Sequence, residues 1–174
     1  ILDDAEFLRV GIKATEGATI ENVSAEGTTP VISVGDASVG MAAENNSLAN
    51  NEAVISVNAH NAAIGMVASS ASLASNLSGA SLNMVMTGNY AAGASATRII
   101  GMYADTGASV SNEAGGTILA ENQAMSGTMV GMQASLVNTA DGTTKAVNNG
   151  TINMYNSDSV TPTSSNVSLI AMAG

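Results

Sequence analysis

The segment Ile99–Leu119, with the sequence IIGMYADTGASVSNEAGGTIL, contains a five-residue phrase, Ile100–Ala104, that recurs along the chain. The six copies are Val10–Ala14, Val39–Ala43, Ile64–Ala68, Ile100–Ala104, Val130–Ala134 and Ile170–Gly174. Their second residue is glycine, or Ala171 in the last copy, and it recurs after 29, 25, 36, 30 and 40 residues. A repeated phrase at unequal intervals is typical of a solenoid, in which strands stay in register while the turns vary in length.

The phrase alternates in polarity, which predicts a short β-strand with one face in the core. We expect its first, third and fifth positions to face inward and its second and fourth positions to face outward. On this basis Gly101→Val should be tolerated better than Met102→Asp, which buries a carboxylate. The third positions form a predicted core ladder of Ile12, Met41, Met66, Met102, Met132 and Met172.

A second phrase lies in each interval, with apolar residues expected to face inward at its second and fourth positions. Its copies are Val31–Val34, Val54–Val57, Ser81–Met84, Thr117–Ala120 and Thr151–Met154. A weaker apolar point separates the two phrases, at Ile20, Leu48, Leu73, Val110 and Val147. Each interval therefore predicts about three short strands joined by Gly, Asn, Ser and Asp turns.

These features predict an all-β chain folded as a parallel β-helix of about five to six coils with three short strands each. Coil spacing of ~4.8 Å gives a rod of roughly 24 Å over five steps. A β-sandwich could use the same strands but would not explain why one phrase returns six times. We expect the longest turns, Met86–Arg98 and Tyr155–Val167, to project from the rod.

Composition limits the possible functions. The net charge is −10 with four basic residues, which argues against nucleic acid and anionic membrane surfaces as partners. No apolar run is long enough to span a membrane as a helix, so membrane insertion by this segment is not expected. The chain has no cysteine, which excludes disulfides and thiol chemistry.

No catalytic, cofactor-binding or metal-binding constellation is evident, so the chain is not expected to be an enzyme or to need a cofactor. His60, the single histidine, lies between two strands and is interpreted as a turn residue in solvent. The motif Gly35–Ser38 is interpreted as a turn, since no acid–histidine partner is placed beside it. The three tyrosines, Tyr90, Tyr103 and Tyr155, are candidate binding residues because exposed aromatic rings stack on sugars and anchor partners.

The sequences AIGM (Ala63–Met66), IIGMYADTGASVSNEAGGTI (Ile99–Ile118) and NNGTINMYN (Asn148–Asn156) resemble passenger domains of large autotransporter adhesins, most of all those of Fusobacterium. The resemblance implies a right-handed parallel β-helix, here a fragment with a lead-in at residues 1–9 and coils over 10–174. It also implies display on a Gram-negative cell surface through a region outside this segment, and binding to a glycan or protein of host cells or partner bacteria. A passive stalk, a carbohydrate-active β-helix enzyme, and a fibre subunit that self-associates end to end or laterally remain alternatives.

Overall fold

The computed structural model describes residues 9–87, 98–124, 126–135, 144–157 and 166–173, which form short β-strands in three parallel sheets. Sheet 1 contains β1 (Arg9–Ala14), β4 (Ser38–Ala43), β7 (Ala63–Ala68), β10 (Arg98–Ala104), β13 (Ser126–Ala134) and β16 (Asn166–Ala173). Sheet 2 contains β2 (Thr19–Asn22), β5 (Leu48–Asn51), β8 (Leu73–Asn76), β11 (Ser109–Asn112) and β14 (Lys145–Asn148). Sheet 3 contains β3 (Val31–Val34), β6 (Val54–Ala59), β9 (Ser81–Met86), β12 (Thr117–Asn122) and β15 (Thr151–Asn156).

The chain visits the three sheets in turn, and each strand pairs with the equivalent strand of the neighbouring coil. Sheet 1 has the order β1-β4-β7-β10-β13-β16, and sheets 2 and 3 have the same regular progression. The fold is therefore a right-handed parallel β-helix of about five coils, as predicted. Within the described residues no helix is long and apolar enough to cross a membrane.

The main core is a column of methionines and small aliphatic residues inside the coils. Met41, Met66, Met102 and Met132 are fully buried and lie opposite one another in register. The ends of the predicted ladder differ, since Ile12 is half-buried and Met172 is 45% exposed. Their strands, β1 and β16, are the outer strands of sheet 1 and are covered by a neighbouring coil on one side only.

The first position of the repeated phrase was expected to face inward, and this is wrong. Ile64, Ile100 and Val130 belong to a second buried cluster, here called the outer cluster, that is separate from the main core. The preceding residues, such as Ile99 and Met129, occupy the main core instead. Apolar side chains are thus buried on both sides of sheet 1, as in sheets covered on two faces.

The glycine at the second position was expected to face outward, and this is also wrong. A Cβ at Gly65 would lie 2.6 Å from Leu82 Cδ1 in sheet 3 and 2.7 Å from the Gly101 carbonyl oxygen of the next coil. The glycine and the methionine after it therefore both face inward, which breaks the period-two alternation. The first position consequently falls on the opposite face from the third and fifth.

The second phrase behaves as predicted, with Ile55, Val57, Leu82 and Ile118 fully buried. In three coils the sequence analysis chose the wrong residue as the inward-facing apolar position of sheet 2. The inward column is Ile20, Ala49, Ala74, Val110 and Ala146, as the register of the strands shows. Leu48, Leu73 and Val147 lie on the other face, because alanine fills the inner position in those coils.

Sheet 2 ends in a ladder of asparagines that the sequence analysis did not identify, formed by Asn22, Asn51, Asn76, Asn112 and Asn148. The Nδ2 group of each donates to the Oδ1 atom of the next at 2.8 Å. The first four are buried, and their Nδ2 groups also contact backbone carbonyls, such as that of Val54 beside Asn22. The buried amides therefore satisfy one another from coil to coil.

The predicted projecting turns largely lie outside the described residues, at 88–97 and 158–165. The residue ranges predicted for these two turns were too wide. Met86 is a fully buried residue of β9, and Tyr155 belongs to β15.

We predict that Gly101→Ala costs about 1–3 kcal/mol of unfolding free energy or more, as overpacking does. Its Cβ would lie 3.3 Å from Met84 Sδ and closer still to the Gly131 carbonyl oxygen. Gly35→Ala is the matched control, because no atom lies within 4 Å of its Cβ position, and it should change stability by less than about 0.5 kcal/mol. Urea unfolding of both variants tests this, and equal losses would contradict it.

We also predict that Asn76→Ala destabilises the chain by about 2 kcal/mol or more, because it removes the acceptor of Asn51 Nδ2 and the donor to Asn112 Oδ1. The control is Asn83→Ala, a change of the same chemistry at an outward position of β9. Thermal melts should show little change for Asn83→Ala, and a comparable melting temperature for the two variants would refute a stabilising ladder.

Candidate binding surface

Among the tyrosines that the structure describes, the exposed one is Tyr155, which lies on the outer face of sheet 3. Tyr155 is 43% exposed, and in the strand register it lies directly opposite Glu121. Its hydroxyl donates to Glu121 Oε2 at 3.3 Å, and Gln123 Nε2 donates to Glu121 Oε1 at 2.9 Å. We call the group formed by Leu119, Glu121, Gln123, Asn153 and Tyr155 the Tyr155 patch.

The strands fix the positions of these side chains. Residues 119, 121, 153 and 155 alternate with inward-facing residues, so their side chains project from the same face at strand spacing. At the end of the strand pair, Asn122 is buried and donates from Nδ2 to Asn156 Oδ1 at 2.9 Å. This bond between the residues adjoining Glu121 and Tyr155 ties the two coils together where the patch lies.

The Tyr155 patch combines an apolar ring face with a carboxylate and two amides. The ring can cover C–H surface, and the carboxylate oxygens retain lone pairs for hydroxyl or amide donors. Both the partly covered ring and the adjacent Glu121 carboxylate raise the pKa of Tyr155, so its phenol stays protonated at neutral pH. The patch therefore presents an uncharged phenol beside a hydrogen-bond acceptor.

Tyr103 does not belong to any exposed surface, contrary to the expectation for an outward-facing residue. It is 2% exposed and packs in the outer cluster. The alternation placed it on the correct face of β10, but that face of sheet 1 is itself covered. The consecutive apolar residues Ile99 and Ile100 were the available signal, because a strand that is apolar on both faces is buried on both. Tyr90 lies outside the described residues.

The single histidine lies in a turn and holds two coils together. Asp36 Oδ1 accepts from the backbone N–H groups of His60 and Asn61 at 2.8 and 2.9 Å, and Asp36 Oδ2 lies 3.2 Å from His60 Nε2. Ser38 Oγ donates to the Asp36 carbonyl oxygen at 3.0 Å. Asp36 thus caps the turn of the following coil, which is a structural role for the motif Gly35–Ser38.

Acidic side chains are dispersed over the coils. In the part of the chain that the structure describes, no three His, Cys, Asp or Glu side chains are grouped as ligands of a metal ion. Glu121 accepts hydrogen bonds from the Tyr155 hydroxyl and from Gln123 Nε2.

Tyr103 generates a prediction on alkaline stability. Burial raises its pKa, the Ser135 hydrogen bond lowers it, Asp105 raises it, and Arg98 lowers it, with a net increase above the ordinary value. The unfolded chain then loses this proton first as the pH rises past about 10, so the folded state loses stability above that pH. Tyr103→Phe should reduce this loss relative to the wild type, whereas Tyr155→Phe, at an exposed site, should reduce it less. Melting temperatures across the alkaline range test this, and parallel curves for all three proteins would contradict it.

Comparison with known proteins found no matching family model, no matching curated protein and no matching solved structure. The β-helix and the geometry of the Tyr155 patch are therefore the observations from which a function can be inferred.

Proposed function

We propose that this chain is a segment of a bacterial cell-surface adhesin that binds a glycan or protein of a host cell or partner bacterium through the Tyr155 patch. The observation that carries this proposal is a half-exposed tyrosine ring hydrogen-bonded to a carboxylate of the next coil on a regular sheet face. Localisation at the cell surface rests on the resemblance of the repeated phrases to autotransporter adhesins.

A glycan is the ligand that this chemistry favours. The C–H face of a sugar ring packs on an aromatic ring, and its hydroxyl groups donate to carboxylate oxygens. Asn153 lies on the same strand as Tyr155, and Glu121 lies opposite Tyr155 on the neighbouring coil. Both are within reach of one small ligand bound at the ring. The net charge of −10 disfavours strongly anionic glycans, so a neutral or basic sugar surface fits best.

The stacked coils also favour binding over catalysis. Turns between stacked strands can change without disturbing the coils, and this suits recognition surfaces. A carbohydrate-active enzyme would need an acid–base pair acting on one bond. If the segment is a passive stalk, the same rod binds no ligand. The binding experiment described next separates the stalk from the adhesin.

We predict that Tyr155→Ala weakens binding to cells or arrayed glycans about tenfold or more, equivalent to at least ~1.4 kcal/mol. Tyr155→Phe should retain most of the affinity because it keeps the ring. Val147→Ala is the matched control, since Val147 has similar exposure, lies in the same coil as Tyr155 but in sheet 2, and is outside the patch.

Equal weakening by Val147→Ala would show that the Tyr155 patch is not the binding site. A wild-type chain that binds neither cells nor glycans would contradict the adhesin and leave the stalk. Turnover of a polysaccharide that is abolished by Glu121→Gln would replace the adhesin with the enzyme.

A further inference from the structure

The outward side chains of sheet 3 form one continuous face that includes the Tyr155 patch. They alternate with inward residues in every strand, and the strand register aligns them in three columns that cross the coils. Each of these residues is exposed or half-buried. We call this surface the sheet 3 face, and its columns are Val31, Val54, Ser81, Thr117 and Thr151, then Ser33, Ser56, Asn83, Leu119 and Asn153, and then Asn58, Val85, Glu121 and Tyr155.

Charge is nearly absent from the sheet 3 face, although the chain carries a net charge of −10. Among the residues of its three columns, Glu121 is the one that is charged at neutral pH. Other acidic side chains lie in turns, as Glu44 and Glu52 do, or on sheet 2, as Glu21 does. The outer face of sheet 2 also carries Lys145. A ligand on the sheet 3 face would therefore meet an almost neutral surface of an acidic protein.

The hydroxyl and amide groups of the sheet 3 face are not used by the fold. Eight of the outward side chains are Ser, Thr or Asn, and within the described residues none of them makes a hydrogen bond, unlike the inward Asn51 and Asn76. Each of these groups can donate and accept. Val54, Val85 and Leu119 supply apolar surface between them. This mixture matches the two surfaces of a neutral sugar, its hydroxyl groups and its C–H faces.

The strands beneath this face cannot accept a peptide as an added strand. β6, β9 and β12 are each paired with a parallel strand on both sides, so their backbone groups are already occupied. An extended peptide that binds a sheet does so by pairing with a free edge. Since only side chains are available to a ligand here, the sheet 3 face favours a sugar over a peptide.

We propose that the Tyr155 patch is one end of a longer site, and that its ligand is a linear, uncharged polysaccharide lying along the rod axis over β15, β12, β9 and β6. The assignment rests on the proposed function and names the ligand of the same patch. The coils repeat at ~4.8 Å, and a pyranose ring in an extended polymer advances by a similar distance. Successive sugars would therefore meet equivalent positions of successive coils.

The order of side chains along the site gives the sugars different contacts. A ring at the β15 end would stack on Tyr155 and donate a hydroxyl group to Glu121, which already accepts from the Tyr155 hydroxyl. On β9 the C–H face of a later sugar would cover Val85, while Asn83 binds one of its hydroxyl groups. On β6 Asn58 would bind the last sugar. Because the strand pairing holds these positions in register, affinity should grow with each sugar until the four strands are covered.

The test is the affinity of the full 174-residue chain for neutral linear oligosaccharides of increasing length. The probes are glucose, mannose, galactose and N-acetylglucosamine series from monosaccharide to hexasaccharide, with uronic acid oligomers of the same lengths as the charged series. We expect affinity for at least one neutral series to rise about tenfold or more from monosaccharide to tetrasaccharide and then to level off. The uronic acid oligomers should bind more weakly at every length, because the protein is acidic.

Asn83→Ala separates the longer site from the Tyr155 patch. It should weaken tetrasaccharide binding about fivefold, as the loss of one hydrogen bond does, and leave disaccharide binding unchanged. Asn50→Ala is the matched control, because Asn50 is a half-buried, outward amide of sheet 2, and it should change neither affinity. Tyr155→Ala should weaken the binding of both ligands.

Three results would overturn the polysaccharide and leave the Tyr155 patch as the site of a smaller ligand: affinity that is independent of length, stronger binding of the uronic acid series, or equal losses from Asn83→Ala and Asn50→Ala. A chain that binds cells through Tyr155 but binds none of these oligosaccharides would also overturn it. Binding that Tyr155→Ala leaves unchanged would contradict the proposed function, and the longer site with it.

Discussion

The close approach of successive coils along sheet 1 is the constraint on which the rest of the structure depends. The carbonyl oxygen of each coil lies so near the preceding coil that only glycine fits opposite it, as at Gly40 and Gly65. The same residue lets the strand bend, so that Met41 and Met66, which follow these glycines, enter the core. The spacing set by the hydrogen bonds between strands therefore requires glycine at this position. The glycine in turn sets the position of the methionine column and the side of sheet 1 on which the outer cluster forms.

The asparagine ladder imposes a second and directional constraint. Each buried amide finds its partner only when the equivalent residue of the next coil is an asparagine in the same register, as for Asn51 and Asn76. A slip of one residue would bury an unsatisfied amide, which costs about 1–3 kcal/mol, and would turn the apolar columns outward. The ladder and the glycine column thus specify the same register from two sheets, and the turns between them are free to vary in length.

The period-two pattern was sufficient to predict the strands, the number of coils and most of the core, since inward side chains repeat in every coil. It failed where a property depends on the neighbouring coil. The inward glycine cannot be inferred from alternation, because alternation assumes an unbent strand. The asparagine ladder was hidden because its separation from the second phrase varies, from nine residues after Asn22 to three after Asn51. The conformation of one turn was also not predictable from residue type. Ser70 and Ala71 adopt positive φ values of 52° and 60°, which serine and alanine do not favour.

The same stacking has a consequence for recognition. Glu121 and Tyr155 lie on different coils, and the hydrogen bond between the adjacent residues Asn122 and Asn156 holds those coils in register. In the proposed adhesin, a ligand would meet a ring that stands on a strand and is hydrogen-bonded to the next coil, so binding would cost less side-chain entropy than on a mobile loop. A rod that must keep its inner columns unchanged can still alter the outward residues of sheet 3 one at a time, because these side chains contact their column neighbours and not the core. If the proposed function is correct, specificity belongs to outward positions like residue 155, while inward positions preserve the register that presents them.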